Sequence, residues 1–270
     1  MTDEKQTNTE EWDHTSHDQF VEDYANKSLN EQTLRRFQRF YEIANKLLGI
    51  EKKNLQLDIA DIGCGAGTQA SIWAEKGHQV YGIDINQPLV ELAKERAKEK
   101  SLNIQYEVGS ATNLPWPDRS VDVCLAPELL EHVEEWEQVL NEFIRVIRPG
   151  GILILSTNNK LCPIQQEFNL PLYSWYPGIL KRYYEKLAKT TRPEIANYAT
   201  YPAVNWFSFF SLQKYLKRKG FDCFDRFDVI EIKNKTKLEQ IAMKAIRTIS
   251  ILRWFSHVGT PYTLLVAIKK

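Results

Sequence analysis

The run Asp61-Ile62-Gly63-Cys64-Gly65-Ala66-Gly67-Thr68 constrains this chain more than any other feature. It follows a short apolar run at 57–62 that reads as a buried strand, and it opens a helical pattern at 67–76. Glycines at such a turn let the backbone bend tightly and let a ligand approach, because no Cβ intervenes. The unpaired N–H groups of the following helix start suit a carboxylate. A second strand at 79–83 leads into Asp84, 19 residues after Gly65. An acid at that place accepts two hydrogen bonds from a ribose diol. The loop reads GxGxG, not the GxGxxG of dinucleotide sites, and Asp61 would repel a pyrophosphate but attract an ammonium.

The same alternation continues along the chain. A helix is expected at 88–100, strands at 104–108 and 121–125, a helix at 133–147 closed by the turn Arg148-Pro149-Gly150-Gly151, and a strand at 152–156. Strands alternating with helices predict an α/β domain with a mostly parallel sheet covered on both faces. Helical patterns at 16–26 and 31–49 precede it, and residues 1–14 read as a disordered acidic tail. Residues 157–206 break the pattern: they are long, aromatic and proline-bearing, as functional insertions are. A helix at 211–219, a strand at 223–229, a helical segment at 236–255 and a strand at 262–268 finish the chain, so that 15–270 reads as one domain.

Charge is unevenly placed although it sums to zero. Residues 1–160 hold 17 Lys/Arg against 27 Asp/Glu, and 161–270 hold 18 against 8. Such asymmetry marks either an anionic partner of the basic half or attraction between the two halves. The four cysteines show no CxxC spacing, which leaves a zinc site or redox pair unsupported and fits reduced thiols in a cytoplasmic protein. The N-terminus lacks the apolar region of a signal peptide, and no apolar run is long enough to span a bilayer. A membrane contact, if any, would be peripheral.

Several segments together resemble the class I S-adenosylmethionine-dependent methyltransferases: DIGCGAGT, GIDIN, GSATNLPW at 109–116, LLEHV at 129–133 and RPGGILILST at 148–157. Within the class the pattern is most similar to the quinone-biosynthesis O-methyltransferases. The resemblance covers 57–157 well and 207–268 more loosely. It implies a single doubly wound seven-stranded sheet whose last strand is antiparallel, with N-terminal helices and a helical lid insertion after strand five. S-adenosylmethionine is the implied cofactor; its amino group, carboxylate and ribose, and its lack of phosphate, match the loop chemistry above. Asp61, Gly63 and Gly65, with Gly67 in the same loop, would hold the methionine part. Asp84 would hold the ribose, and Ile85, Ser110 and Ala111 would border the adenine. Pro127 would border the methyl-transfer site. The family often has Asp where this chain has Ser110, a shorter group that would reach the adenine amino group only through water.

Methyl transfer to a hydroxyl needs a base, and His132 is the nearest candidate, against a purely structural histidine. Glu128, Glu131 and His132 stand at i, i+3 and i+4, which on a helix reads either as a divalent-ion site or as an acidic helix start; no metal is expected. His14 and His17 reach the site only if the N-terminal helix is a lid. The insertion's aromatic residues, Phe168, Tyr173, Trp175, Tyr176, Tyr183, Tyr184, Tyr198, Tyr201 and Trp206, suit a small apolar or ring-bearing acceptor. Segment 178–189 puts Ile179, Leu180, Tyr183, Tyr184 and Leu187 on one face and Lys181, Arg182, Lys186 and Lys189 on the other. It is either a lid helix packed on the domain with its basic face in water, or a peripheral contact to an anionic membrane. The stripe at 238–252 poses the same choice, with core packing expected. No stacking platform or basic arm supports a nucleic-acid substrate. The competing functional readings are a nicotinamide-dependent oxidoreductase on a similar sheet and an inactive cofactor-binding partner domain.

Overall fold

The computed structural model describes residues 24–197, 202–233 and 235–270. The expected tail at 1–14, His14, His17, Tyr198 and Tyr201 lie outside these residues, as does most of the helix expected at 16–26; residues 24–28 are helical. Helix α1, Glu31–Leu48, starts where the Asn30 side chain accepts the Thr33 N–H and stops at Gly49 in the left-handed region. Its buried face, Phe40, Tyr41, Ile43 and Ala44, covers the sheet edge-on to α2 (Thr68–Ala74), where Tyr41 meets Trp73 ring to ring at 5.1 Å.

Seven strands follow: β1 Asp58–Ile62, β2 Gln79–Asp84, β3 Ile104–Val108, β4 Val121–Pro127, β5 Ile147–Asn158, β6 Phe221–Asp225 and β7 Tyr262–Lys269. They form one sheet in the order β3-β2-β1-β4-β5-β7-β6. The first five are parallel, and β7 runs antiparallel to both β5 and β6. The central strands are mostly apolar because both faces are buried, with Asp61 at the tip of β1 an exception. Ala60, Ile62, Leu153 and Leu155 pack on the side of α4 (Trp136–Val146) and α6 (Phe209–Arg218), with Leu140, Phe143 and Phe209. Ile59, Val80, Ile152 and Ile154 pack on the opposite side with Phe40, Trp73 and Val90, the last from α3 (Gln87–Glu99). The doubly wound α/β fold with an antiparallel last strand is therefore present. The progression of strand order reverses between β1 and β4, and a crevice opens there beyond the strand C-termini.

Four sequence expectations change in the structure. The helix expected at 133–147 begins at Trp136, after a 3-10 turn at Leu130–His132. The strand expected at 223–229 is β6 at Phe221–Asp225, because the Asp225 carboxylate then caps a helical turn, accepting the N–H groups of Phe227 and Asp228 at 2.8 and 3.0 Å. The helix expected at 236–255 is two helices, α7 (Lys237–Thr248) and α8 (Ser250–Val258), broken at the extended Ile249. The stripe at 238–252 does not pack as expected, since no residue of α7 is buried, and α5 (Gly178–Thr190) packs only through part of its expected face: Tyr184 and Leu187, with Ala188, meet the insertion's core and Lys181 also turns inward, while Ile179, Leu180 and Tyr183 stay exposed.

The insertion leaves the sheet after Asn158 and builds a small core of its own. Phe168 stacks on Tyr173 at 4.1 Å, and Ala188, Ile195 and Ala196 close around them. Lys181 sits beneath, its ammonium donating to the Ser174 carbonyl at 2.9 Å and lying 4.5 Å from the Trp206 ring. Burial pushes its pKa down to about 8.

Candidate active site

The crevice at the strand reversal holds a cavity of about 410 Å³. Asp61, Gly63, Asp84, Pro127 and His132 line it, so the tips of β1, β2 and β4 converge as the sequence predicts. The Gly63 amide bonds the Ile83 carbonyl at 2.8 Å, which holds the first two strand tips together. Gly63, Gly65 and Gly67 all have positive φ, at 72°, 50° and 75°, where a side chain would be strained. Gly65 also supplies its N–H to Asp84 at 2.8 Å, while the other Asp84 oxygen accepts from the Asn86 N–H at 2.9 Å. Gly67 has no place on the cavity wall. It turns the chain into α2, and a Cβ there would strike the Tyr106 hydroxyl at 2.3 Å. Ile85, Ser110 and Ala111 also lie off the cavity wall. Ile85 is exposed, Ser110 bonds the Thr112 hydroxyl at 2.8 Å, and Ala111 packs on the core.

Asp61 carries the strongest chemical signal. It is fully buried, and among the described residues neither of its carboxylate oxygens makes a well-formed hydrogen bond. Burial raises its pKa to about 7, with Asp84 adding and the Ala70 amide opposing. The Thr68 hydroxyl and the Gln69 amide line the same cavity and are likewise without partners. Buried polar groups are normally satisfied, so such a cluster fits a polar ligand that completes it. A ligand bearing both an ammonium and a carboxylate supplies what the carboxylate, the hydroxyl and the amide lack, and the residues present thus fit the amino-acid end of S-adenosylmethionine.

The N-terminal helices contribute cavity residues that the sequence did not disclose: Tyr24, Thr33, Arg36 and Phe37. Tyr24 lies so close over the loop that a Cβ on Gly65 would meet its hydroxyl at 2.3 Å, and burial beside Asp84 pushes its phenol well above the ordinary range. Arg36 pairs with Glu128 across the cavity mouth. Amphipathic spacing had located α1 but could not say which strand end it crosses.

The segment after β4 departs from the helix on which a Glu128, Glu131 and His132 metal face depended. Glu128 is left-handed, with φ 52°, and its side chain goes to Arg36. Glu131 is buried, and its backbone carbonyl accepts the N–H groups of Val204 and Asn205 at 2.8 and 3.1 Å, which ties the returning insertion down. No cluster suited to a metal ion occurs among the described residues. Burial raises the Glu131 carboxyl to about 8. Glu167, from the insertion, is raised by burial and lowered by the charge of His132. Tyr262, at the start of β7, is pushed to about 12 by burial and by Glu128 and Glu167. Acidic groups from three separate elements thus meet around Glu167, which also feels His132; only their meeting in space reveals Glu167 and Tyr262.

A sheet of this order, with a glycine turn at the first strand tip and an acid at the second, is what the resemblance to the class I S-adenosylmethionine-dependent methyltransferases implies, and S-adenosylmethionine is the cofactor of that class. Comparison with known proteins agrees. Residues 60–155 match the family model described as a methyltransferase domain. A probable S-adenosylmethionine-dependent methyltransferase of Mycolicibacterium smegmatis is 36% identical over 104 residues, covering 38% of this chain and 39% of that protein. A ubiquinone biosynthesis O-methyltransferase of Coxiella burnetii is 33% identical over 102 residues, covering 38% of this chain and 44% of that protein. The matches thus span about two fifths of the length of these relatives. In fold, the chain is similar to a putative sarcosine dimethylglycine methyltransferase from Galdieria sulphuraria, with a TM-score of 0.53 and 17% identity over 87% of this chain and 84% of that one.

Proposed function

We propose that this protein transfers the methyl group of S-adenosylmethionine to a small acceptor, apolar or ring-bearing, at an oxygen atom. The observation that carries this reading is the buried Asp61 carboxylate, without a well-formed hydrogen bond among the described residues, on the wall of the cavity between β1 and β4, beside the Asp84 carboxylate. Bound S-adenosylmethionine supplies a methyl already activated by its positive sulfur. Asp61 binds the ammonium, Asp84 accepts from the ribose diol, and Pro127 borders the place where the acceptor approaches. His132 takes the acceptor proton, with Glu167 from the insertion within electrostatic reach of it. The insertion and α1 exclude water. Alignment of nucleophile and methyl can supply on the order of 7–11 kcal/mol of the barrier reduction. The aromatic insertion supports a ring-bearing acceptor, and the presence of a base beside the cavity supports oxygen.

Calorimetric titration of the full chain tests the binding half. S-adenosylmethionine binds, and Asp84→Ala weakens it at least about tenfold through the loss of charge-assisted bonds. Heat with NAD and none with S-adenosylmethionine, or an unchanged affinity in the variant, would sink the reading. Comparing extracts of cells with and without the gene for compounds differing by one methyl mass identifies the acceptor.

A further inference from the structure

Helices α7 and α8 carry charge inward and hydrocarbon outward, the reverse of an ordinary surface helix. On the inner side, Arg247 donates to the carbonyls of Phe227 and Ile230 at 2.7 and 2.8 Å. Arg253 donates to the buried Asp225 carboxylate at 2.7 Å and pairs with Asp228, and His257 meets Asp225 at 2.9 Å. These bonds fix the orientation of both helices. On the outer side, Leu238 is 78% exposed, Ile241 64%, Ile251 64% and Phe255 60%, with Trp254 beside them. Residues 233–258 hold six Lys/Arg against one Glu. Two of the six are the inward arginines, and Lys233, Lys237 and Lys244 remain exposed around the stripe.

We infer that the outer face of α7 and α8 docks on an anionic lipid bilayer. An apolar ridge with an indole and a phenyl ring, bordered by lysines, matches the boundary between acyl chains and negative headgroups. A second copy seated on this face by a two-fold axis would set lysines against lysines, so charge favours lipid. Neither helix is long and apolar enough to cross a membrane, which makes the contact superficial. Helix α5 also leaves Ile179 and Tyr183 outward, with Arg182 and Lys186 alongside, although Tyr184, Leu187 and Ala188 pack inward, and it serves as a second contact. The root of the insertion is tied to the end of α8: the Asn159 side chain donates to the His257 and Thr260 carbonyls at 2.7 Å each. The inference goes beyond the methyl-transfer reading and needs no cofactor.

Sedimentation of the full chain with lipid vesicles tests it. The protein partitions onto vesicles of phosphatidylglycerol and phosphatidylcholine in equal parts, and at least about tenfold less onto phosphatidylcholine alone or at high salt. The double variant Ile251→Glu, Phe255→Glu lowers partitioning at least about tenfold with an unchanged melting temperature, because both side chains are exposed. The triple variant Lys233→Gln, Lys237→Gln, Lys244→Gln loses the preference for anionic vesicles and provides the same reading if the first variant misfolds. Absence of partitioning onto any vesicle, equal partitioning of folded variants and wild type, or a dimer in ultracentrifugation that the Glu variants dissolve would each overturn the inference.

Discussion

Asp61 shows how one residue can be costly to the folded chain and useful to the site. Its carboxyl is buried, and its pKa rises from 3.8 in the unfolded chain to about 7. Between those values the folded state holds a proton that the unfolded state releases, so this group makes the free protein less stable as pH rises from about 4 to about 7. Asp61→Asn removes the liability: chemical denaturation gives a variant more stable than wild type at pH 8, with the difference vanishing near pH 4. Cofactor affinity moves the other way. An ammonium prefers the ionised carboxylate, so wild-type binding strengthens as pH climbs through about 7, and the variant loses that dependence. A variant less stable than wild type at pH 8 would show that the carboxylate has a partner in the free protein. For His132, the expected loss is kinetic: His132→Gln lowers kcat by roughly 10²–10⁴-fold with cofactor affinity nearly unchanged, and steady-state assays on the identified acceptor read the split. Asp61, Asp84 and His132 were legible because their chemistry is tied to short spacings along the chain. Glu167 was not, since nothing within a few residues of it marks it as a neighbour of His132.

At the level of elements, the same helical period that locates a stripe says nothing about which way the stripe faces. In α4 the apolar stripe, Val139, Leu140, Phe143 and Val146, is buried as expected. In α7 and α8 the inward anchors are the half-buried Arg247 and Arg253 and the buried His257, and the last two meet the Asp225 carboxylate, fully buried at the end of β6. Removing one such partner leaves a charge without full compensation. Arg253→Ala is therefore expected to cost about 3–5 kcal/mol, measured by urea denaturation at neutral pH. Its partners hold the Asp225 carboxyl below the ordinary range, so this contribution is present above the unfolded pKa near 4 and fades as pH falls below it. A loss below about 1 kcal/mol would mean that His257 and the capped amides suffice. The break at Ile249 escaped the sequence reading because its apolar side chain continues the stripe while its backbone leaves the helix.

Across the whole molecule, the N-terminal helices close the cofactor cavity from above. Arg36 of α1 reaches Glu128 at the exit of β4, 92 residues away in sequence, and Tyr24 lies over the glycine loop. Both members of the Arg36–Glu128 pair are about one third exposed, so the pair adds at most about 1 kcal/mol to stability. Its larger effect is on passage. Arg36→Gln leaves the denaturation midpoint nearly unchanged and speeds cofactor release, which stopped-flow displacement measures; an unaltered release rate with an intact fold would argue against a closing role.

The succession of strands and helices, the glycine turn and the acid at the end of β2 were written in the linear chain, because backbone conformation and burial pattern depend on neighbours a few residues apart. Which helix covers the cavity, which faces of α5, α7 and α8 meet water, and that Glu167 comes near His132 were decided only by tertiary structure. Those outcomes depend on contacts between distant segments and on where buried charge finds its partner, and amphipathic spacing is silent about both.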